Sequence, residues 1–504
     1  EGVSLAAAAG PEDDIKGSLK SFTKVYDLIE ENFADKVAAD KAIYKGAIPG
    51  MLRTLDPHSN FFDPRDFQLL KEDQKGHYYG VGMTVANRNG KTIVVSPFGG
   101  SPAYKAGIRP ADTIVEVNDK KTDGLSTSEV ADLLKGPRGT HVQIVISREG
   151  VDHSITFDVV RDEINRASVM EPFWIRPGIA YTQITQFGET TSRELEDGLK
   201  KLGEGNIKGL ILDLRANPGG LLNEGVDVAG HFLKKNDVVV SQRGRGSAEK
   251  PYYARRGNGG RDYPIVVVVN RYSASAAEIV AGALQDHDRG WILGENTFGK
   301  GLVQTVYPLS ENTGLALTTY HYYTPSGRLI QRDYSHISFL DYYYHRNQDQ
   351  KNPLDVKMTD AGRTVYGGGG ITPDEKYTAP KLNKFQTEAL RKDVFFRFTG
   401  KYFGSKEKAR LPKGWTVDEG TLNEMHDFML KNNVEFTEAE FTENRDWLKT
   451  TMKHEMYITA FSKEEADRAA VEDDPEITKA IDALPKAKGL LESAKKMMVQ
   501  RLNR

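Results

Sequence analysis

The sequence predicts an α/β multidomain protein with helical segments at both ends, and three observations carry that expectation. From Gly178 onward, apolar strand-like runs alternate with helix-period segments, the pattern of a parallel sheet with covering helices. Between Gly76 and Asp162, short alternating strands are separated by turn residues. Before and after these regions, residues 12–56 and the chain beyond Tyr377 repeat their apolar residues at helical spacing. A chain of 504 residues suits two to four domains. The expected boundaries are an N-terminal helical segment at 1–75, a strand-rich module at 76–164, an α/β core at 165–380 and a C-terminal helical domain at 381–504.

In the first segment Val25, Ile29 and Phe33 recur every four residues, and Ile43, Ile48, Met51 and Leu52 form a second stripe. Asp56-Pro57 ends that helix, because a residue before proline leaves the helical region. Phe61-Phe62-Asp63-Pro64 is a turn, and a short helix follows through Phe67, Leu69 and Leu70. The strand module opens with Tyr79 to Ala86 and Thr92 to Val95 around an Asn89-Gly90 hairpin turn. A short helix at Ser101 to Gly107, a strand at Asp112 to Asn118, a capped helix at Ser126 to Leu134 and a strand ending at Ser147 complete it. In the core, Ile179 to Phe187, Gly209 to Leu214, Val238 to Ser241, Ile265 to Val269 and Trp291 to Leu293 read as strands. Ser192 to Leu202 and Leu221 to Leu233 read as helices, and a third runs from about Ser275 to Gln285. Beyond Tyr377, helical stripes cover Phe385 to Tyr402, Leu422 to Lys431, Thr437 to Met456 and Ile477 to Leu502.

Bulk properties narrow the function. Net charge is −3, which gives no basis for nucleic-acid binding or general attraction to an anionic membrane. With no cysteine, disulfides, zinc–thiolate sites and thiol nucleophiles are excluded. No stretch approaches the roughly 18 to 20 apolar residues of a membrane span. Leu5 to Gly10 reads equally as the remnant of a processed leader or as an arbitrary start. His454-Glu455 lacks a second histidine at zinc spacing, and neither a metal nor a cofactor is expected.

The chemistry concentrates between Pro264 and Val306. A buried strand ends at Asn270, and Ser273-Ala274-Ser275-Ala276-Ala277-Glu278 leads into a helix. A serine at a helix N-terminus has unpaired amides and the positive dipole end beside it, so Ser275 suits a nucleophile and Ala276 an oxyanion donor. Ser273 is then the cap or a turn residue; the alternative is a close-packed helix start without chemistry. A serine hydroxyl needs a base. Lysine serves where apolar burial destabilises its ammonium. Lys300, between Gly299 and Gly301 with Phe298, Leu302 and Val303 alongside, has that setting; taken alone, Gly-Lys-Gly is more often a surface turn. Asp213 to Gly220 (DLRANPGG) is a strand-to-helix turn whose Gly219 and Gly220 amides suit a second oxyanion donor, or else an ordinary link.

Together these stretches resemble the C-terminal processing peptidases, or tail-specific proteases, of the S41 serine peptidase family. The resemblance runs from about Asp56 to Asp374 through LDPHSNFFDP, DLRANPGG, SASAAEIVAGALQD, GENTFGKGLVQT, YYTPSGRLIQ and GGGGITPD. It implies an α/β serine-peptidase core of the ClpP/crotonase-like kind, with Ser275 and Lys300 as a catalytic dyad. Lys300 follows Ser275 by 25 residues, the family's spacing. The supporting glutamine falls at Gln304. Gly80-Val81-Gly82-Met83 and SPAYKAGIRPADTIVEVN resemble a circularly permuted PDZ domain. That implies capture of a substrate's C-terminus near Tyr79, Gly80, Val81 and Gly82.

The implied activity is ATP-independent endopeptidase cleavage of polypeptides with unstructured apolar tails, outside the cytoplasm: periplasm or cell envelope, or thylakoid lumen in a plastid. An adaptor or activator and self-association through the end helices are implied partners. The rival reading is a non-catalytic or partner-activated PDZ scaffold that retains the peptidase fold; intact Ser275, Lys300 and Gln304 argue against it. An esterase or amidase is disfavoured by the PDZ domain. The chain departs from the family at Ala277, in the segment between Gln331 and Gly367 that includes Tyr342-Tyr343-Tyr344, and in its long C-terminal helical region.

Other residues have plainer readings. Asp286 lies about 16 Å along the helix from Ser275 and suits a structural cap. Arg243 to Arg261 reads as a mobile basic hairpin over the site, and Arg109 as a link from the PDZ domain or a solvated charge. Ser21 to Lys24 and Ser493 to Lys496 match Ser-x-x-Lys but lack companion motifs. No histidine lies within the serine block, the lysine loop or DLRANPGG, so a Ser-His-Asp triad has no support.

Overall fold

Two strands buried along their whole length, Gly209–Asp213 and Ile265–Val269, form the centre of the architecture. Such fully buried strands need cover on both faces, which parallel sheets obtain from helices. The computed structural model describes residues 11–335, 338–344, 352–404 and 410–502; Leu5 to Gly10 and part of the 332–366 segment lie outside them. The chain divides into two compact units, one gathering residues 1–69, 303–319 and 334–346, the other 70–302, 320–333 and 347–504.

The first unit contains the helix Pro11–Asn32, then Ala39–Ala42, a π-turn at Ile43–Ala47 and Ile48–Arg53. On the long helix Ile15, Leu19, Phe22, Val25 and Ile29 are exposed, as is Phe33 just past its end. LDPHSNFFDP makes a turn around one carboxylate: the His58 and Ser59 amides donate to Asp56 Oδ1 at 2.7 and 2.8 Å, and the Ser59 hydroxyl to Oδ2 at 2.6 Å. Strand Asn60–Phe62 pairs antiparallel with Gly314 to Ala316. Tyr342 and Tyr343 have a structural place here. His58 Nε2 lies 3.0 Å from the Tyr342 hydroxyl, and Tyr343 donates to the Pro57 carbonyl at 3.0 Å.

In the second unit the core sheet has the order Phe173–Arg176, Ile179–Gln183, Gly209–Asp213, Ile265–Val269, Trp291–Gly294, Glu375–Lys376. The first pair is antiparallel and every later pair parallel. Helices Leu222–Gly230 and Ala276–Asp286 pack against each other at Gly225, where an added Cβ would lie 3.2 Å from that of Ala276. The C-terminal helices share a buried cluster with the sheet. Val471, Ile477, Ala480, Ala483, Leu484 and Ala487 pack with Phe173, Tyr181, Ile211, Val266, Val268 and Leu293.

The PDZ region has its own sheet, Met83–Arg88, Lys91–Pro97, Thr113–Val117, His141–Ser147 and Ile155–Val160, around Val94, Ile114, Val142 and Ile144. The strand expected over Tyr79 to Ala86 is instead two, His77–Gly80 and Met83–Arg88. It breaks at Gly82, whose φ of +76° turns the chain and whose missing Cβ would lie 2.5 Å from that of Ser101. The Asn89-Gly90 turn has positive φ at both residues, the geometry that two-residue hairpins favour.

The C-terminal region is helical as expected but more broken. The 385–402 stripe divides at Asp393 (φ +52°), and Lys463–Glu472 is an added helix. Its aromatic core includes Phe385, Phe395, Phe398, Phe428 and Phe441. It meets the PDZ region where Arg88 pairs with Asp393 and lies over the Phe396 ring at 4.1 Å.

Candidate active site

The turn after Ile265–Val269 is built to hold one side chain in an unfavourable backbone conformation. Ser275 has φ +54° and ψ −115°, a region that costs an L-residue about 1–3 kcal/mol and persists only where its surroundings over-determine it. Those surroundings are dense. The Asn270 amide donates to Ser273 Oγ, which donates to the Leu214 carbonyl at 2.8 Å. The Ala274 amide donates to the Asn217 carbonyl at 2.8 Å, and the Tyr322 hydroxyl to the Ser275 carbonyl at 3.1 Å. Ser273 is thus the turn residue, and Ser275 heads the helix Ala276–Asp286.

The neighbouring turn, Asp213 to Gly220, closes on Ser275. A Cβ on Gly219 would lie 2.6 Å from that of Ser275 and 2.9 Å from the Ala276 nitrogen, so only glycine fits. Gly220, at φ +142°, would place a Cβ 2.2 Å from the Phe187 carbonyl oxygen. The Gly219 amide donates to Asn217 Oδ1 at 2.8 Å and is already engaged, contrary to its expected role as an oxyanion donor. The amides of Gly220 and Ala276 have no hydrogen-bond partner among the described residues.

Lys300 is half-buried on a loop clamped from several sides. A Cβ on Gly301 would lie 2.8 Å from the Gln331 amide, and the Gly301 amide donates to Gln331 Oε1 at 2.8 Å. A Cβ on Gly299 would meet Gly370 N at 3.1 Å. The glycines flanking the lysine therefore admit YYTPSGRLIQ and GGGGITPD to the loop. This loop reaches the serine turn directly, because the Phe298 amide donates to the Ser273 carbonyl at 2.9 Å.

Glu278 binds the two halves together and had no role in the sequence reading. Its carboxylate, fully buried, accepts from the amides of Ser275 (2.9 Å), Gly299 (2.7 Å) and Lys300 (2.9 Å) and from the Thr297 hydroxyl. Burial pushes its carboxyl up to about 7, against the pull of those donors. The signal that could have found it is spacing: a glutamate three residues after a helix N-cap is a capping-box position.

The other expected residues fall as follows. Gln304 sits on the strand Leu302–Pro308, in the first unit, and donates to Thr318 Oγ1 at 3.1 Å. Val81 is buried, Tyr79 exposed, and the Val81 and Gly82 amides have no partner among the described residues. The Arg109 amide donates to Asp112 at 2.8 Å. Asp286 is structural: it pairs with the buried Arg328 at 2.8 Å and accepts from the Ser326 amide. Arg261 does not belong to a mobile hairpin; it is 7% exposed and paired with Glu196 and Glu204. A Ser–His–Glu contact does exist away from the motifs, with Ser192 Oγ 2.9 Å from His231 Nε2 and His231 Nδ1 3.1 Å from Glu196. Glu196 is shared with Arg261 and Lys200, and the Ser192 amide donates to Glu224, so the cluster reads as a clasp between helices.

A strained serine at the carboxyl end of a parallel strand, facing a glycine turn and tied to a lysine loop, is the layout of a serine peptidase. Residues 178–336 match peptidase family S41, residues 94–148 the PDZ domain, and residues 4–65 the activating protease CtpB N-terminal domain. A carboxy-terminal-processing protease of Bartonella bacilliformis is 39% identical over 64% of this chain and 74% of its own length. The carboxy-terminal processing protease CtpB of Bacillus subtilis is 31% identical over 70% of this chain and 75% of its own. Among solved structures, a photosystem II D1 C-terminal processing protease is 28% identical, covering 71% of this chain and 86% of its own with a TM-score of 0.36. The chain belongs to the carboxy-terminal processing protease family of S41 serine peptidases.

Proposed function

We propose that the chain is an ATP-independent endopeptidase with a Ser275–Lys300 dyad that cleaves polypeptides bearing unstructured apolar C-termini. The observation that carries this reading is the left-handed Ser275, fastened to the Lys300 loop by a single buried carboxylate, Glu278. Neutral Lys300 accepts the Ser275 proton as Oγ attacks the peptide carbonyl, giving a tetrahedral oxyanion. The Ala276 and Gly220 amides receive that charge. Lys300 then protonates the leaving amine, and an acyl-enzyme remains. Lys300 next takes a proton from water as the hydroxide attacks the ester; the C–Oγ bond then breaks, Ser275 Oγ regains the proton from Lys300, and the product leaves as a carboxylic acid. Gln304, four residues along the chain from Lys300, keeps the supporting role the resemblance implies.

The PDZ region captures the tail. Its open amides at Val81 and Gly82 suit a terminal carboxylate, and an extended peptide adds to the sheet edge. Among the described residues no helix is long and apolar enough to cross a membrane. The periplasm or cell envelope is the compartment we infer from the resemblance. The exposed apolar stripe from Ile15 to Phe33 suits self-association.

The test is incubation of the full chain with an unfolded protein carrying an apolar tail, beside Ser275→Ala and Lys300→Ala. Both variants should lose cleavage by at least about a thousandfold. Cleavage retained in either removes the dyad.

A further inference from the structure

The peptidase match ends at residue 336, yet the turn beside Ser275 is held in part by residues more than a hundred positions further on. Arg215, two residues past the end of the strand Gly209–Asp213, is the connection. Its guanidinium straddles Asp213, donating from Nε to both carboxylate oxygens at 3.1 and 3.0 Å and from Nη2 to Oδ2 at 2.7 Å. Nη1 points the other way. It meets Asp474 Oδ2 and Glu476 Oε2, each at 2.8 Å. Both acids belong to the start of the helix Pro475–Asp482, Asp474 as its N-cap.

The geometry is demanding. The Arg215 side chain is 18% exposed and that of Glu476 8%, so an unmet guanidinium donor there lacks water to replace it. The core supplies Asp213, which Tyr181 orients by donating to Oδ2 at 2.8 Å. The acceptors for Nη1 come from the C-terminal helix. Directly after Arg215, Ala216 has φ +56° and so, like Ser275, is a non-glycine residue in the left-handed region. A strained position holds only if both sides are fixed. On one side the Ala216 amide donates to Asn270 Oδ1 at 3.0 Å; on the other stands the Arg215 anchor. From Ala216 the chain runs to Asn217, whose carbonyl accepts from Ala274, and then to the glycines against Ser275.

We propose that Glu476 is a positioning residue for peptide-bond cleavage: by holding Arg215 it sets the Asp213–Gly220 turn, and so the Gly220 amide, against Ser275. The C-terminal helical region is then a working part of the peptidase. This rests on the Ser275–Lys300 reading.

The test compares steady-state cleavage of one tailed substrate by the full-length wild type, Glu476→Ala, Glu476→Asp and Glu476→Gln, with Ile477→Ala as a packing control on the same helix. Removing or withdrawing the acceptor should lower kcat about tenfold with KM unchanged, because oxyanion contacts form only in the transition state. Glu476→Gln keeps an acceptor oxygen and should retain most of kcat. Ile477→Ala should lower the melting temperature while keeping kcat below it. If Glu476→Ala does not fold, Glu476→Asp, which keeps the charge and shortens the reach, carries the comparison. Wild-type kcat in the Ala and Asp variants, an effect confined to KM, or an equal kcat loss in Ile477→Ala overturns the inference. Should wild-type cleavage prove independent of Ser275, the dyad itself fails, a result distinct from any of these.

Discussion

Two turns leave neighbouring buried strands at the same end of the core sheet, and they solve one steric problem in opposite ways. Asp213 to Gly220 places glycines at φ +98° and +142°, where a side chain would strike Ser275 or Phe187. Asn270 to Ala276 places a serine at φ +54°, where glycine would be the relaxed choice. The first turn needs absence of bulk; the second keeps a hydroxyl at a backbone cost. At Ser275 the strain keeps a hydroxyl in place, and Gly219 and Gly220 of the adjoining turn leave the room it needs.

The comparison breaks most severely at Gly219→Ala. The new methyl combines a left-handed backbone with a 2.6 Å approach to the Ser275 Cβ, so stability should fall by about 4 kcal/mol in urea unfolding. Cleavage by the remaining folded protein should fall about a hundredfold. Next is Glu278→Gln, read in pH-dependent unfolding. The folded carboxyl is raised from 4.5 to about 7, so the protonated form is favoured by folding. Its stabilisation is complete below pH 4.5 and is lost as pH rises to about 7. Wild type should lose about 3 kcal/mol relative to Glu278→Gln across that window; parallel curves would show that the carboxyl does not titrate there. The smallest effect is Ser275→Gly, which removes the proposed nucleophile and relaxes the backbone. It should be inactive yet more stable than Ser275→Ala by about 1 kcal/mol, measured by chemical denaturation.

What could be read from sequence follows the range of the interaction. The Asn89-Gly90 turn, the Gly-Lys-Gly loop and the serine between strand and helix are local patterns, and the structure has each where its residues indicate. Glu278 was locally readable by its spacing, but its contacts to Gly299 and Lys300 depend on a loop more than twenty residues away. Arg215 and Glu476 are 261 positions apart, and no periodicity or turn chemistry connects them. The engaged Gly219 amide was equally hidden. Two successive glycines announce a close approach, but which amide remains open depends on where the Asn217 side chain turns. The 385–402 stripe divides at Asp393, which has φ +52° and pairs with Arg88, a tertiary partner that helical periodicity does not register.

The cover that the C-terminal helices give the core sheet has a consequence in time. Chains are made from the N-terminus, and domains fold largely in that order. Ser275 and Lys300 are synthesised roughly two hundred residues before Glu476 and Leu484. Through that interval the nascent peptidase carries both side chains of the proposed dyad, while the C-terminal helices that cover its sheet are not yet made and Arg215 has only Asp213 to hold. On the role proposed for Glu476, the Asp213–Gly220 turn stays incomplete, and the peptidase disarmed, until the C-terminal helices have been made.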